Sequence, residues 1–288
     1  MRDLVDWSLE DRRGIVGVFT DIDDTLTTDG AITADALQAL KRLKAAGLHL
    51  IAITGRPVGW SEPFALHWPV DAIVAENGAV ALLRRARRAP TAGGTGPEGP
   101  SAQPEQLSKL YQQDPATRAS NFLRMQQVAA RVLREVAGAT MARDSAGRET
   151  DIAIDHSEFS HLAPEQIAQV VAIMQAEGMN ATVSSIHING WFGGHDKLVG
   201  ARWIVRALYG QVLDAQTARW AYVGDSTNDQ LMFAHFEHSV GVANIRRFES
   251  ELSAKPRYVT PGERGAGFAE VADALLAARA GAANCSAK

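Results

Sequence analysis

Short apolar runs alternate with helical segments along this chain, and each run ends in polar residues. The first run, Ile15–Thr20, is rich in β-branched and aromatic residues, as buried parallel strands are. A helical segment follows, with Thr33 as its N-cap and Gly47 at its end, and leads to a second run at Leu48–Ile53. Because strands that alternate with helices at this spacing form parallel sheets covered on both faces, the sequence predicts a doubly wound α/β fold.

The same alternation continues at Asp71–Ala75 and resumes after Asp196. The resumed part contains a helix through Tyr209, strands at Trp220–Val223, Ser239–Val242 and Tyr258–Thr260, and a terminal helix from about Gly267 to Ala280. The first and last parts of the chain therefore predict one Rossmann-like core, over residues 1–84 and 192–288.

The intervening segment, 85–191, has a different pattern and predicts an inserted α+β cap domain. Its expected elements are a helix at Arg118–Val136, a strand at Arg148–Asp155, a helix from Pro164 to Gly178 and a strand at Thr182–Asn189. The stretch Pro90–Pro104 is so rich in glycine and proline that we expect a loop. The basic run Arg84–Arg88 before it favours a solvated hairpin strand over a nucleic-acid arm.

Composition excludes several classes of protein. The 288 residues are 46% hydrophobic and 22% charged, with a net charge of −4, which gives no global attraction to nucleic acid or an anionic membrane. No apolar stretch approaches the ~18 residues of a membrane span, and the first residues have no secretory signal. The single cysteine, Cys285, allows no intramolecular disulfide. We expect a soluble cytoplasmic enzyme with no nucleic-acid or membrane partner.

Four polar groupings follow predicted core strands or precede a core helix. They are Asp21 with Asp23, the run Thr54, Gly55 and Arg56, the single Lys197, and Asp225 with Asn228 and Asp229. Open α/β sheets bind their ligands at the carboxyl ends of the strands, so these groups are expected to converge. Converging carboxylates repel one another without a cation and suit Mg²⁺ with a bound phosphate. With a hydroxyl, a glycine N–H and a lysine beside them, they predict a phosphoryl-transfer centre.

The order of these motifs resembles the haloacid dehalogenase superfamily of phosphohydrolases. The resemblance covers Asp21–Thr27, Ile53–Arg56, Lys197 and Gly224–Asp229, across more than two hundred residues. The place of the insert, together with Glu76–Ala79, resembles the type-two (IIB) cap branch of Cof-like and sucrose-phosphate-phosphatase enzymes. One departure is Asp24, where cap-bearing relatives often have glycine; we expect it to face away from the metal.

The resemblance implies roles for the motif residues. Asp21 would be the nucleophile that forms an aspartyl-phosphate, and Asp23 the acid and base that serves the leaving group and the water. Mg²⁺ would be held by Asp21, by the backbone carbonyl of Asp23, by Asp225 as the main remaining ligand, and by Asp229. The expected phosphate-binding residues are Thr54, Gly55, Arg56, Lys197 and Asn228.

Strand alternation nominates substrate contacts on the predicted cap. In Thr182–Asn189, Ser185, His187 and Asn189 share the face opposite the isoleucines, and this polar face would look toward the core; solvent exposure of His187 is the alternative. The same argument on Arg148–Asp155 adds Glu149 and Asp151. Trp191 lies where the chain returns to the core, and hinge packing is favoured over stacking on a sugar.

We therefore expect a Mg²⁺-dependent phosphatase that hydrolyses a small phosphomonoester, with a sugar phosphate as the substrate. The alternative is a phosphotransferase resembling the mannose-phosphate mutases. Such a mutase needs cations on the cap for a distal phosphate, and the predicted cap face carries little positive charge. A non-catalytic binding module is disfavoured because both aspartates of the first motif and the lysine are present.

Overall fold

The computed structural model describes residues 1–84 and 106–283, so Pro90–Pro104 and most of the basic run before it lie outside the described residues. The strands are β1 (Arg2–Asp3), β2 (Gly17–Thr20), β3 (Thr27–Thr28), β4 (Ala31–Ile32), β5 (His49–Ile53), β6 (Ala72–Ala75), β7 (Val80–Arg84), β8 (Leu107–Tyr111), β9 (Thr140–Met141), β10 (Ile152–Asp155), β11 (Asn180–Val183), β12 (His187–Trp191), β13 (Trp220–Gly224), β14 (His238–Gly241) and β15 (Tyr258–Val259). The helices are α1 (Leu9–Gly14), α2 (Ala34–Ala45), α3 (Val58–His67), α4 (Pro115–Glu135), α5 (Pro164–Ala176), α6 (Lys197–Tyr209), α7 (Gln230–His235) and α8 (Arg264–Ala283).

The larger sheet has the order β1-β15-β14-β13-β2-β5-β6-β7-β8 among the described residues. Its strands run parallel from β1 to β6, and β7 and β8 continue the sheet antiparallel. The central strands β2 and β13 are buried along their whole length, which is why they appear as short apolar runs in the sequence. The predicted doubly wound α/β fold is confirmed.

Helices cover both faces of this sheet. On one face, α2 and α8 pack through residues such as Leu40 and Phe268. On the other, α6 and α7 pack through Ile204 and Phe233, together with Trp220 of β13. Among the described residues no helix is both long enough and apolar enough to cross a bilayer.

The smaller sheet is antiparallel, with the order β11-β12-β10-β9, and α4 and α5 cover one of its faces. The single strand predicted at Thr182–Asn189 is wrong, because the chain turns between β11 and β12 and the two pair as a hairpin. The Ser184 hydroxyl makes this turn by accepting hydrogen bonds from the N–H groups of Ile186 and His187.

The predicted insert over residues 85–191 begins, in its described part, with a strand of the larger sheet. Leu107–Tyr111 pairs with β7 as the edge strand β8. The smaller sheet and the two helices on it therefore occupy Pro115–Trp191.

Two glycines let helix α6 start directly against the turn that follows β6. Gly78 has φ +104°, and a Cβ there would collide with the carbonyl oxygen of Asp196. A Cβ on Gly200 would lie 2.6 Å from the Cα of Gly78. Since Lys197 is the first residue of α6, this close approach of two backbones places the lysine.

We predict that Gly78→Ala destabilises the protein by about 3 kcal/mol or more, since a strained backbone and an overpacked contact each cost roughly 1–3 kcal/mol. The matched control is Gly47→Ala, where φ is +80° but a Cβ meets nothing within 4 Å, so only the backbone strain applies. Denaturant unfolding of both variants measures the difference. Equal losses of stability would show that the close approach at Gly78 is unimportant.

Candidate active site

The parallel strands bring the predicted motifs to one edge of the larger sheet. Asp21 follows β2 and Asp225 follows β13, and these two strands are neighbours. Lys197 reaches the same point from the start of α6, with its Nζ 3.0 Å from Asp21 and 2.7 Å from Asp229. All four side chains are buried. The predicted convergence of these motifs is therefore present in the structure.

Asp21, Asp225 and Asp229 form a buried acidic cluster in which one carboxylate oxygen of each lies within 4.8 Å of the others. Burial raises the pKa of Asp21 to about 7, although Lys197 opposes the shift, and the neighbouring carboxylates add to it. Burial and the same neighbours raise the pKa of Asp225 well above its usual value. Lys197 alone does not balance three carboxylates. A set of hard oxygen donors with excess negative charge fits Mg²⁺.

Asp229 uses both of its carboxylate oxygens within the protein. Oδ1 accepts hydrogen bonds from Lys197 Nζ and from the hydroxyl of Tyr222, at 2.7 and 2.5 Å. Oδ2 accepts from the backbone N–H groups of Asp225 and Ser226, at 3.0 and 3.2 Å. Asp229 thus holds the lysine and the loop after β13 in place, whereas Asp21 and Asp225 offer the freer oxygens.

The side chain of Asp23 points away from the acidic cluster, toward Arg56. Arg56 Nε lies 3.0 Å from each Asp23 oxygen. Burial raises the pKa of Asp23, and Arg56 and His187 oppose that shift. The two aspartates of the first motif therefore have separate surroundings, one beside Lys197 and one facing the smaller sheet.

Arg56 was predicted to bind phosphate, but its guanidinium lies among three carboxylates. Besides Asp23, it pairs with Asp144 at 3.2 Å and with Glu158 at 2.9 Å, and it is only 5% exposed. Both additional partners belong to the part of the chain that carries the smaller sheet. Arg56 thus connects that part to the core. Thr54 is buried, and its hydroxyl accepts the N–H of Arg56 at 3.0 Å.

Residues of the smaller sheet cover the carboxylates of Asp21 and Asp23. They enclose a cavity of about 10 Å³, which is lined by Asp21, Asp23, Gly55, Arg56, Ser184, Ser185, Ile186, His187, Asn189 and Asn228. His187 is 2% exposed and its Nε2 lies 2.9 Å from Glu158, so the solvent-exposed alternative for His187 is wrong. Asn189 donates hydrogen bonds to the Gly55 carbonyl and to Asp151. Of the five predicted cap residues, Ser185, His187 and Asn189 line this cavity.

Glu149 and Asp151 do not line the small cavity. Glu149 instead accepts hydrogen bonds from Lys109 and Tyr111, at 2.8 and 2.7 Å. The strand starts only at Ile152, so the alternation assumed for Arg148–Asp155 does not hold before that residue. Asp151 is buried against Arg148, at 2.8 and 3.0 Å, and burial raises its pKa to about 7 although Arg148 opposes the shift. Its Oδ2 also accepts a hydrogen bond from the side-chain amide of Asn189.

Sequence reasoning missed several residues that build the site. Glu76 is fully buried, and its carboxylate accepts hydrogen bonds from the N–H groups of Val58, Glu149 and Thr150 and from the Thr150 hydroxyl. The run Glu76–Ala79 is part of the resemblance, but the resemblance gave Glu76 no role in the site.

Asp155 and Asn244 were also missed. Asp155 accepts hydrogen bonds from four consecutive backbone N–H groups, at residues 157–160, and so shapes the turn that carries Glu158. Asn244 donates to Asp225 at 3.2 Å and to the Asp24 carbonyl at 3.0 Å. Neither residue lies in a recognisable motif.

Asp24, the departure from the resemblance, has a left-handed backbone. Its φ is 52°, a conformation that favours glycine. Its carboxylate pairs with Arg264 Nε at 3.0 Å. Glycine at this position would carry no charge, whereas the Asp24 carboxylate is balanced by Arg264.

Comparisons with known proteins agree with this geometry. Residues 18–88 match the model of the haloacid dehalogenase-like hydrolase family. A search of curated protein sequences gives no match. Solved structures with a similar fold include a Thermoplasma acidophilum protein, at a TM-score of 0.64 and 15% identity, covering 91% of this chain and 98% of that one.

Two further solved structures are enzymes by their descriptions. The sucrose-phosphatase of Synechocystis sp. PCC6803, solved with sucrose and phosphate, has a TM-score of 0.61 and 14% identity, and the match covers 91% of this chain and 98% of that one. The HAD subclass IIB sugar phosphatase BT4131 has a TM-score of 0.55 and 16% identity, with coverages of 85% and 93%. The predicted resemblance to the haloacid dehalogenase superfamily agrees with the family match over residues 18–88, and the similar structures agree with the predicted fold.

The acidic cluster predicts a pH-dependent stability in the absence of divalent cations. Because the folded-state pKa of Asp21 is raised from 3.8 to about 7, its contribution to stability is fully present below about pH 4 and is lost as pH rises through about 7. The same sign holds for Asp225, whose pKa is also raised. With a chelator present, the protein should have a higher Tm at pH 5.5 than at pH 8.

With a chelator present, Asp225→Asn should raise the Tm at pH 8 by several degrees. The difference between the Tm values at pH 5.5 and pH 8 should then be smaller in this variant than in the wild type. Removing an uncompensated buried charge is worth a few kcal/mol, and each kcal/mol shifts Tm by about 2–4 °C in a chain of roughly this size. Asp273→Asn is the control, because Asp273 is 61% exposed in its pair with Arg42. A lower Tm for Asp225→Asn at pH 8 would contradict the electrostatic account of the cluster.

Proposed function

We propose that this protein is a Mg²⁺-dependent phosphatase that hydrolyses a small phosphomonoester, with a sugar phosphate as the substrate. The observation that carries the proposal is the separation of the two aspartates of the first motif. Asp21 lies in the acidic cluster beside Lys197, and Asp23 faces the smaller sheet beside Arg56 and His187. This separation supports assigning the attack on phosphorus to Asp21 and the leaving group to Asp23.

In the proposed reaction, a carboxylate oxygen of Asp21 forms a bond to phosphorus as the bond from phosphorus to the ester oxygen breaks. The carboxyl group of Asp23 gives its proton to the departing alkoxide. Asp23 then takes a proton from the water that attacks the aspartyl-phosphate and releases inorganic phosphate. Lys197, 3.0 Å from Asp21, would balance charge on the phosphoryl oxygens throughout.

Asp21 and Asp225 would hold the Mg²⁺ with their carboxylates, and Asp23 with its backbone carbonyl. When bound, the ion would supply positive charge to the transferring phosphoryl group. We retain Thr54, Gly55, Lys197 and Asn228 as the proposed phosphate-binding residues. Arg56 is not assigned to phosphate binding, because its guanidinium is already paired with three carboxylates.

The substrate class rests on the polar residues over Asp23 and on the fold. Two proteins with a similar fold are described as a sucrose-phosphatase and a sugar phosphatase, which supports a sugar phosphate here. The proposal includes a cytoplasmic location, a small phosphorylated molecule as the partner, and no nucleic-acid or membrane partner.

The mutase alternative needs an unpaired cation on the cap for a second phosphate. Around the small cavity, the described arginines are already paired, Arg56 with three carboxylates and Arg148 with Asp144 and Asp151, and the His187 ring lies 2.9 Å from Glu158. This pairing favours hydrolysis over transfer between two positions of a sugar bisphosphate.

Asp21→Asn is predicted to abolish turnover while leaving the fold intact, since it removes the nucleophile and hardly changes the side-chain volume. The measurement is phosphate release from p-nitrophenyl phosphate with Mg²⁺, alongside the circular dichroism spectrum. Asp214→Asn, at a residue that is 51% exposed, is the matched control and should keep wild-type activity. More than a few per cent of wild-type kcat in Asp21→Asn would refute the covalent mechanism.

Asp225→Ala is predicted to raise the Mg²⁺ concentration needed for half-maximal activity, because it removes one of the two freer carboxylates of the cluster. Excess Mg²⁺ should restore part of the activity. A Mg²⁺ titration of phosphate release tests this, and a wild-type titration curve for Asp225→Ala would show that the metal site has been assigned wrongly.

A further inference from the structure

Asn244 is a buried amide that contacts the acidic cluster from the side of β14. The chain after β14 forms a short 3₁₀ helix, Ala243–Phe248, in which Asn244 is the second residue. Asn244 is 2% exposed, and its side chain reaches the loops that follow β2 and β13. These loops carry Asp21 and Asp225. The amide therefore touches the surroundings of the cluster without adding charge to them.

The hydrogen bonds of Asn244 fix the orientation of its amide. Its Nδ2 donates to the Asp24 carbonyl at 3.0 Å and to Asp225 Oδ2 at 3.2 Å. Its Oδ1 accepts the backbone N–H of Arg264, the first residue of α8, at 3.0 Å. Exchanging the amide nitrogen and oxygen would set an acceptor against two acceptors and a donor against a donor. Both N–H groups of the amide are thus engaged.

The carboxylates of the cluster differ in how many oxygens the protein already uses. Both oxygens of Asp229 accept strong hydrogen bonds. In Asp225, Oδ2 is held by Asn244, whereas the partner of Oδ1 among the described residues is the Thr25 hydroxyl, at 3.5 Å. A hydrogen bond at that distance is weak. Asp225 therefore offers one freer oxygen, Oδ1, to a cation.

Asn244 holds Asp225 Oδ2 without neutralising the carboxylate. A lysine or arginine in this place would bring a positive charge that competes with a bound cation. An amide N–H donates a hydrogen bond and leaves the full negative charge of Asp225 in the cluster. The arrangement thus restrains the side chain and keeps its attraction for a cation.

The same amide restrains two of the proposed Mg²⁺ ligands relative to each other. Asp24 directly follows Asp23, whose backbone carbonyl is one proposed ligand, and the Asp225 carboxylate is another. Because one Nδ2 atom bonds both the Asp24 carbonyl and Asp225 Oδ2, neither loop can shift without losing a hydrogen bond. The Arg264 N–H in turn ties Asn244 to the start of α8.

Mg²⁺ and Ca²⁺ make different demands on such a carboxylate. Mg²⁺ requires nearly ideal octahedral geometry at about 2.0–2.1 Å and usually takes only one or two protein carboxylates. Ca²⁺ accepts about 6–8 oxygens in flexible geometry and often binds both oxygens of one carboxylate. A carboxylate that has one oxygen held by the protein suits Mg²⁺ and denies Ca²⁺ a second oxygen.

We propose that Asn244 is a positioning residue that makes Asp225 a one-oxygen ligand and thereby favours Mg²⁺ over Ca²⁺ at this site. It acts through Asp225 and not by contact with the cation. The inference rests on the proposed function, because it concerns the Mg²⁺ site of that reaction. It assigns metal selectivity to a residue that lies outside the four sequence motifs.

The test is a thermal-shift titration of the wild-type protein and Asn244→Ala with MgCl₂ or CaCl₂ and no substrate. A cation that binds the folded state raises Tm, and its concentration dependence gives an apparent Kd. In Asn244→Ala the Kd for Mg²⁺ should rise about 10- to 100-fold, as is typical when a group that orients a metal ligand is removed. The Kd for Ca²⁺ should stay close to its wild-type value, because the freed Oδ2 adds a ligand. The ratio of the Mg²⁺ Kd to the Ca²⁺ Kd should therefore rise about 10-fold or more.

Thr33→Ala is the matched control. The Thr33 hydroxyl accepts the N–H of Ala36 at the start of α2, as Asn244 accepts an N–H at the start of α8, and the two helices pack together. Thr33→Ala should lower Tm in chelator and leave both Kd values unchanged. Asn244→Ser is the second variant, to be used if Asn244→Ala does not fold, and it should shift the ratio in the same direction.

The outcomes separate this inference from the proposed function. An equal rise of both Kd values in the Asn244 variant would overturn the selectivity role, and unchanged Kd values would overturn any role in the metal site; the proposed function would stand in both cases. Because no substrate is present, a wild-type protein that binds Mg²⁺ but releases no phosphate would refute the proposed function and leave the test of Asn244 intact. If neither cation changes the wild-type Tm, the inference is overturned whatever the phosphatase activity.

Discussion

The ion pair of Lys197 with two buried carboxylates is the interaction around which the site is arranged. Its position depends on the larger sheet, which brings Asp21 and Asp225 to neighbouring strand ends, and on the contact between Gly78 and Gly200, which sets where α6 begins. Asp229 also accepts a hydrogen bond from the Lys197 ammonium, and the Tyr222 hydroxyl donates to the same Asp229 oxygen. One ammonium among three buried carboxylates leaves negative charge unbalanced, so the same geometry that holds Asp21, the proposed nucleophile, also gathers the carboxylates that a cation would neutralise.

Two buried charged residues of the core join it to the part that carries the smaller sheet. Glu76 accepts backbone hydrogen bonds from Glu149 and Thr150, while Arg56 pairs with Asp144 and Glu158. The Glu76 contacts are made to the backbone of residues 149 and 150, and the Arg56 contacts lie beside Asp23. The space over Asp23 is about 10 Å³ while the Arg56 contacts are made. Separation of these ion pairs would widen that space, and their return would cover the proposed substrate.

The core could be predicted from the sequence because its signals are local. Asp21 and Asp225 each follow a buried apolar run, and parallel strands place such residues side by side. The assignments that failed depend on distant partners. Glu149 was placed by strand alternation, but the backbone there is held by Glu76, which lies about seventy positions earlier. Likewise the partners of Arg56, Asp144 and Glu158, are in no motif, so nothing local indicated that this arginine would be occupied by ion pairs.

The roles proposed for Asp21 and Asp23 depend on their surroundings more than on their spacing in the sequence. Two carboxyl groups separated by one residue have the same intrinsic acidity, so any difference in role must come from what each one contacts. Burial and the neighbouring carboxylates raise the pKa of Asp21 to about 7, whereas Lys197 and a cation bound in the cluster would favour the ionised form that the proposed nucleophile needs. Asp23 is partly buried, with its side chain 16% exposed, and burial raises its pKa as well; residues of the smaller sheet that line the same small cavity contribute to that burial. The enclosure that would cover the leaving group thus also favours a proton on Asp23, the group proposed to protonate it.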